Sequence, residues 1–399
     1  MSSSSLIGLS STALYISFFI YLIAMIPLGL SVNSKKKMFS ILGISLTWIG
    51  FILQLVYFIT RWVAAGHAPV SNLYEFMTFF GIMLVGSFLI MYYLYHQTVI
   101  GLFALPIALL ILGYANAFSK DVTPLIPALQ SNWLTIHVLT VAFSSAILSI
   151  SFVTAIIYLL KTVNPVQKSM KTFFLELVMY FMVIVVGFIT VTSTFSATGY
   201  SKDLQFENRE SKMEIYKYKL PAITVPKDSI VVLVEDNNVQ EMVDKQNGLI
   251  EIPNAIDSLK LNTILWSFFV GTVLYILIRL LTRRTIISLL KPLTHKVNAN
   301  SMDEITYRAV VIGFPLFALG GLIFAMIWAQ FAWSRFWGWD PKEIWALITF
   351  LFYAAMLHLR FGKGWEGERT AWMAIIGFGI IIFNQVFVNL IISGLHSYA

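Results

Sequence analysis

The chain has no cysteine and little charge: only 12% of its 399 residues are Asp, Glu, Lys or Arg. Soluble domains carry about 25%. The first absence excludes a disulfide framework, a thiolate metal site and a redox dithiol, so any thiol chemistry must come from another protein. The second excludes an ordinary aqueous fold. With 58% of residues hydrophobic, the apolar surface is too large for one water-bounded core. An all-α polytopic membrane protein accommodates it. No internal repeat or low-complexity tract occurs.

A crossing helix needs roughly 20 apolar residues for a hydrocarbon core about 30 Å thick. Runs at 12–32, 38–60, 73–95, 98–118, 134–160, 172–196, 261–281, 308–330, 344–359 and 371–394 meet or approach that length. The run at 344–359 is short, so its helix is expected to start inside the preceding loop or to tilt. Between the sixth and seventh runs, 197–260 is polar. Pieces such as KMEIYKYKL and DSIVVLVED alternate there, with Pro or Asn-Asn breaks. These features predict a small β-rich extracytoplasmic insertion at 197–260, between N-terminal helices in 1–196 and C-terminal helices in 261–399.

The net charge of +7 is organised. Lys35, Lys36, Lys37, Lys161, Lys168, Lys171, Arg279, Arg283, Arg284, Lys291, Lys296, Arg308, Arg360, Lys363 and Arg369 fall on one side if the runs alternate. The opposite short loops and span ends hold only Arg61, Lys120, Arg335 and Lys342. This positive-inside pattern puts both termini outside. The basic charge therefore reads as orientation in a lipid bilayer, and no nucleic-acid patch remains. The first run lacks a basic segment before it and a small-residue cleavage site, so it reads as a retained span.

The densest feature is WAQFAWSRFWGWDPKEIWALITF at 328–350, an outside loop by this threading. It holds Trp328, Trp333, Trp337, Trp339 and Trp345, five of the chain's 11 tryptophans. Tryptophan is enriched at membrane interfaces, so a belt is one reading. The other is a platform for a large, flat, apolar ligand. Rings would stack on it, and cations such as Arg335 or Lys342 would meet its carboxylates. Asp340 and Glu343 fit a helix start, with Pro341 at the first helical position.

Two histidines lie outside by the same threading: His137 in SNWLTIHV and His396 in ISGLHSYA. Each alone reads as a hydrogen-bonded interface residue. Together with the Trp loop they also describe an axial pair for a haem iron. His358 lies thirteen residues past Trp345, about 20 Å down a helix. It is either an intramembrane functional group or a side chain reaching the inner interface. His67, in GHAPVSNLYEF, reads as structural, beside a helix capped by Ser71 or Asn72 with Glu75 in its first turn. His96 and His295 read as solvated.

WGWDPKEIWALITF followed by FYAAMLHLR closely resembles the "WWD" signature of the cytochrome c biogenesis proteins called CcsA or ResC. LQSNWLTIHV, GHAPVSNLYEF, EITYRAVVIGFPLFALGGL and the final LHSYA are also similar to that family, and the longer middle resembles the ResC type. The resemblance implies a membrane protein that delivers haem b for covalent attachment to apocytochrome c. It implies that His137 and His396 ligate the iron at the outer face and that His358 ligates haem within the membrane. Trp333, Trp337, Trp339, Asp340 and Trp345, with Arg335, would form the haem-facing loop. It also implies a CcsB or ResB partner, a thioredoxin-like thiol reductant and the bacterial cytoplasmic membrane. With that partner the chain would be part of a cytochrome c synthase, a haem lyase. Two other classes stand beside this one. A quinone electron-transfer subunit calls for histidine pairs within the spans, and a solute transporter calls for paired charges or broken helices at the midplane.

Overall fold

The structure is a computed structural model. It describes residues 2–34, 36–122, 130–207, 213–235, 238–245, 249–253 and 257–388. Among them, ten helices are long and apolar enough to cross a membrane. The chain is a polytopic all-α membrane protein with a small strand insertion. Two compact units divide it: residues 1–172 with 287–399, and residues 173–286.

The first unit contains α1 (Ser3–Asn33), α2 (Lys37–Ala65), α3 (Leu73–Tyr95), α4 (Thr98–Ala115) and α5 (Asn132–Thr162). After the boundary come a short α8 (Ile286–Leu290), α9 (Ala299–Phe317), α10 (Ala325–Trp333), α11 (Pro341–Lys363) and α12 (Glu368–Ile382). The centre is α5, buried almost continuously from Val141 to Leu160 and covered by α3, α4, α9 and α12. Lipid tails are as apolar as leucine, so close contact and polar pairs must hold such helices together. The Thr154 and Thr306 hydroxyls lie 2.7 Å apart between α5 and α9. Tyr21 donates to Gln54 Oε1 at 2.7 Å between α1 and α2.

Two spans are not plain α-helix. In the first, α9 runs into a π-helical turn at Ala318–Phe324 and then into α10, one span of 35 residues. Pro315 precedes that turn. It has no N–H to donate to the ladder, and the chain relaxes into wider turns just beyond it. In the second, α12 ends in a π-helical segment at Phe383–Val388 that buries Asn384 and Gln385. The short run at 344–359 extends back to Pro341, as its length required.

The second unit contains α6 (Met170–Ala197) beyond its first turn, six strands and α7 (Ser258–Thr282). A Cβ on Gly187 would lie 2.4 Å from the backbone nitrogen of Gly271, so α6 and α7 touch backbone to backbone. Strands β1 (Lys202–Glu207), β2 (Met213–Tyr218), β4 (Ile230–Glu235) and β5 (Asn238–Lys245) form an antiparallel sheet in the order β2-β1-β4-β5. β3 (Thr224–Pro226) and β6 (Ile250–Ile252) pair in parallel. Leu204, Tyr218, Val225 and Val231 form a small core. The insertion is pinned to α7: Asn262 Oδ1 accepts from Ile223 N at 2.8 Å, and Tyr218 donates to Ser258 Oγ at 2.7 Å.

Candidate functional site

His137 sits in the second turn of α5, and its ring is held from two sides. Its Nδ1 lies 2.8 Å from the carbonyl oxygen of Gly320. A carbonyl only accepts, so Nδ1 carries the proton, and in the neutral ring the lone pair falls on Nε2. The indole of Trp328 stacks on the imidazole, with centroids 5.8 Å apart and planes 10° from parallel. Gly320 belongs to the π-helical turn. A Cβ there would lie 2.9 Å from Val141 N and 2.9 Å from Thr140 Cγ2, so only glycine lets this turn approach α5 so closely.

The Trp loop divides into buried and exposed rings. Trp328 is buried against Leu134 and meets Trp333 edge-on at 4.8 Å. Trp345 packs on Phe383 of the second π-helical segment at 4.3 Å. Trp337 is half-buried and meets Trp339 edge-on at 5.9 Å. Trp339 is 67% exposed, as are Phe331 at 70% and Phe336 at 57%. Trp339 also has φ +56°, a left-handed conformation that is rare for a bulky side chain. Such strain persists only where the surroundings impose it. The next residue supplies the cause. Asp340 caps α11, and Glu343 Oε2 reaches back to accept from Gly338 N at 2.8 Å and Asp340 N at 3.2 Å. This capping box fixes the end of the loop, so Asp340 and Glu343 serve the helix start.

Behind the loop lies a cavity of about 130 Å³. His137, Trp328, Trp337, Lys342, Asn384 and Gln385 line it, so α5, the α10–α11 loop and the end of α12 meet at one point. Sequence reasoning missed several of these roles. Gly320 carries no functional group of its own, and its signal is the double glycine of LGGL. Asn384 and Gln385 are two adjacent amides in an otherwise apolar run, a signal that was legible. Trp328 is a wall of the histidine site, where the sequence offered only another loop aromatic.

Other expected site residues lie elsewhere. Arg335 is exposed, its guanidinium over Gly338 and outside the cavity lining. His358 is exposed on α11, sixteen residues and roughly 24 Å of helix beyond Lys342. It is not brought to His137. His396 lies outside the described residues. His67 Nδ1 lies 3.0 Å from Ala68 O, and its Nε2 is buried without a partner among the described residues. Asn72 caps α3 through Glu75 N at 2.9 Å. Glu75 in turn forms a fully buried ion pair with Arg61 at 2.8 Å. That pair joins the end of α2 to the start of α3, so it ties the helix ends and is not a midplane charge site.

The family model described as "Cytochrome C assembly protein" matches residues 70–199 and 263–396. The chain belongs to the cytochrome c assembly family. The matched segments take in every wall of the cavity named above, the Trp loop, His358 and His396. Among curated relatives, the cytochrome c biogenesis protein CcsA of Cyanophora paradoxa is 30% identical over 391 residues, covering 96% of this chain and 95% of its own. CcsA of Guillardia theta is 29% identical over 389 residues, covering 96% and 94%. CcsA of Rippkaea orientalis is 29% identical over 348 residues, covering 85% and 82%. The likeness to these cytochrome c assembly proteins thus spans the insertion as well as the helices.

Proposed function

We propose that this chain serves cytochrome c maturation by holding haem at the outer membrane face, ready for covalent attachment to apocytochrome c. The observation that carries the reading is the posture of His137. A histidine that donates through Nδ1 to a backbone carbonyl presents Nε2 with its lone pair, the arrangement of a metal-ligating imidazole. The exposed rings of Phe331, Phe336 and Trp339 on and next to the Trp loop suit a flat apolar cargo.

In this reading haem is cargo. It enters from the inner leaflet with His358 as one ligand and moves to the outer face. His137 and His396 then ligate the iron axially, which shields it and tunes its potential. The apocytochrome brings two cysteine thiols in a CxxCH segment. Each adds across a haem vinyl group, sulfur to one carbon and hydrogen to the other, so the thiols must arrive reduced. A thioredoxin-like reductant fits that need, since this chain has no cysteine. The chain's contribution is positioning. The apocytochrome histidine finally displaces one axial histidine to release the product.

His358, exposed on α11, suits a ligand completed by a second membrane protein of the CcsB type covering that face. Both termini and the Trp loop face outward in this arrangement, in the bacterial cytoplasmic membrane. The test is haem content and spectrum of the chain purified with that partner. The reading requires low-spin haem in the wild type, disturbed by His137→Ala and repaired by added imidazole. Absence of haem from every preparation defeats it.

A further inference from the structure

The cavity behind the tryptophan loop has more polar capacity than its walls use. Asn384 is only 7% exposed, and its Oδ1 has no partner among the described residues. Trp337 Nε1 is a buried donor in the same condition. Lys342 brings a positive charge to the same lining. Among the described residues its ammonium is in no ion pair. Asp340 Oδ2 accepts from the Lys342 backbone N–H at 3.4 Å. Glu343 also lines the cavity, and its Oε2 is held by two backbone N–H groups. Among the described residues, a cation and an indole N–H are thus left without an acceptor. The Asn384 amide can turn either end toward one, since a half-turn exchanges its oxygen and nitrogen.

Size narrows the choice. About 130 Å³ is well below the roughly 300–1,000 Å³ of pockets that enclose a drug-sized ligand. The cavity does not hold a porphyrin ring. Its volume leaves room for a short carboxyalkyl arm.

We propose that this cavity is a carboxylate subsite, in which Lys342 Nζ and Trp337 Nε1 hold one propionate arm of the cargo haem. The subsite rests on the haem reading above and adds to it a fixed in-plane orientation. Iron ligation alone leaves the ring free to rotate about the axial bonds. One anchored carboxylate removes that freedom and sets which edge of the ring, and so which vinyl groups, an incoming thiol meets.

The experiment uses the full chain with its partner in nanodiscs, titrated with haem and with haem dimethyl ester, which lacks both carboxylates. The wild type should retain haem about tenfold more tightly than the ester, the scale of one hydrogen bond to a charged group. Lys342→Met should bind haem more weakly than the wild type does, toward the affinity of the wild type for the ester. It should bind the ester unchanged and keep the wild-type low-spin spectrum. With 5-fluorotryptophan incorporated and the Trp337 fluorine line assigned by Trp337→Phe, haem should shift that line more than the ester does. Equal wild-type affinity for haem and ester overturns the subsite. So does a Lys342→Met variant that weakens both alike, since that marks a structural role. A Trp337 shift produced by phosphatidylglycerol, but not phosphatidylcholine, in the absence of haem assigns the cavity to a lipid phosphate and also overturns the proposal. If the wild type keeps neither haem nor ester, the haem reading itself fails.

Discussion

His137 Nδ1 donates to the carbonyl of Gly320 across 2.8 Å, from α5 to a π-helical turn 183 residues later in the chain. The bond assigns the proton to one ring nitrogen and leaves the lone pair on the other. It also makes the histidine's posture depend on how closely two spans approach.

Gly320→Ala tests that dependence. The added Cβ would lie 2.9 Å from Val141 N, a backbone atom that cannot swing aside. Overpacking of this kind costs about 1–3 kcal/mol, and loss of an outer hydrogen bond to a ligand costs about 10–100-fold in metal affinity. Haem retention should fall toward that of His137→Ala while the chain still inserts. Wild-type haem content in Gly320→Ala would show that the bond does not position the ring.

The capping box makes a separable prediction. Asp340→Ala removes an N-cap carboxylate, at a cost of about 1 kcal/mol, and frees the turn that strains Trp339. Thermal melting in detergent should drop by a few degrees, and protease cleavage between Ser334 and Asp340 should rise. Asp340→Asn, which still caps, should stay close to the wild type. Equal behaviour of the two variants would point to a role for the charge itself.

Arg61 and Glu75 are fully buried and 2.8 Å apart. Removing one partner strands the other charge, a loss of about 3–5 kcal/mol. Arg61→Met should therefore lower the yield of folded protein sharply, and Arg61→Met with Glu75→Met should recover part of it. If the single variant is fully stable but inactive, the pair has a functional role in place of a structural one.

The insertion has its own pH signature. Burial pushes the Tyr218 hydroxyl up to about 12, against a hydrogen bond to Ser258 that acts the other way. Below the ordinary tyrosine value of about 10, the group is protonated in both folded and unfolded states and its contribution is complete. As pH rises from about 10 through about 12, the unfolded chain ionises first and the contribution is lost. Ultraviolet titration of the wild type minus Tyr218→Phe should show this late-ionising group. A difference curve centred on the ordinary value would contradict it.

The spans were legible because a lipid-crossing helix needs an apolar run and little else. Among the described residues, each of the ten expected runs overlaps a helix, and the strands KMEIYKYKL and DSIVVLVED fall on β2 and β4. The capping role of Asp340 was legible because Asp-Pro-x-Glu is a local signal. What escaped was long-range. Nothing near His137 announces that its partner is a backbone carbonyl at Gly320, because backbone acceptors have no letter in the sequence. The loop's five tryptophans look alike in sequence, yet Trp328 is a wall and Trp339 is exposed. Only the approach of α5 to the π-helical turn separates them.

The most direct measurement of the central claim is the absorption spectrum of the chain purified with its CcsB-type partner, for wild type and for His137→Ala with and without imidazole. The account predicts low-spin haem in the wild type, a disturbed or depleted spectrum in the variant, and recovery of the low-spin bands when imidazole replaces the missing ring. A His137→Ala spectrum identical to the wild type, with the same haem content, would contradict it.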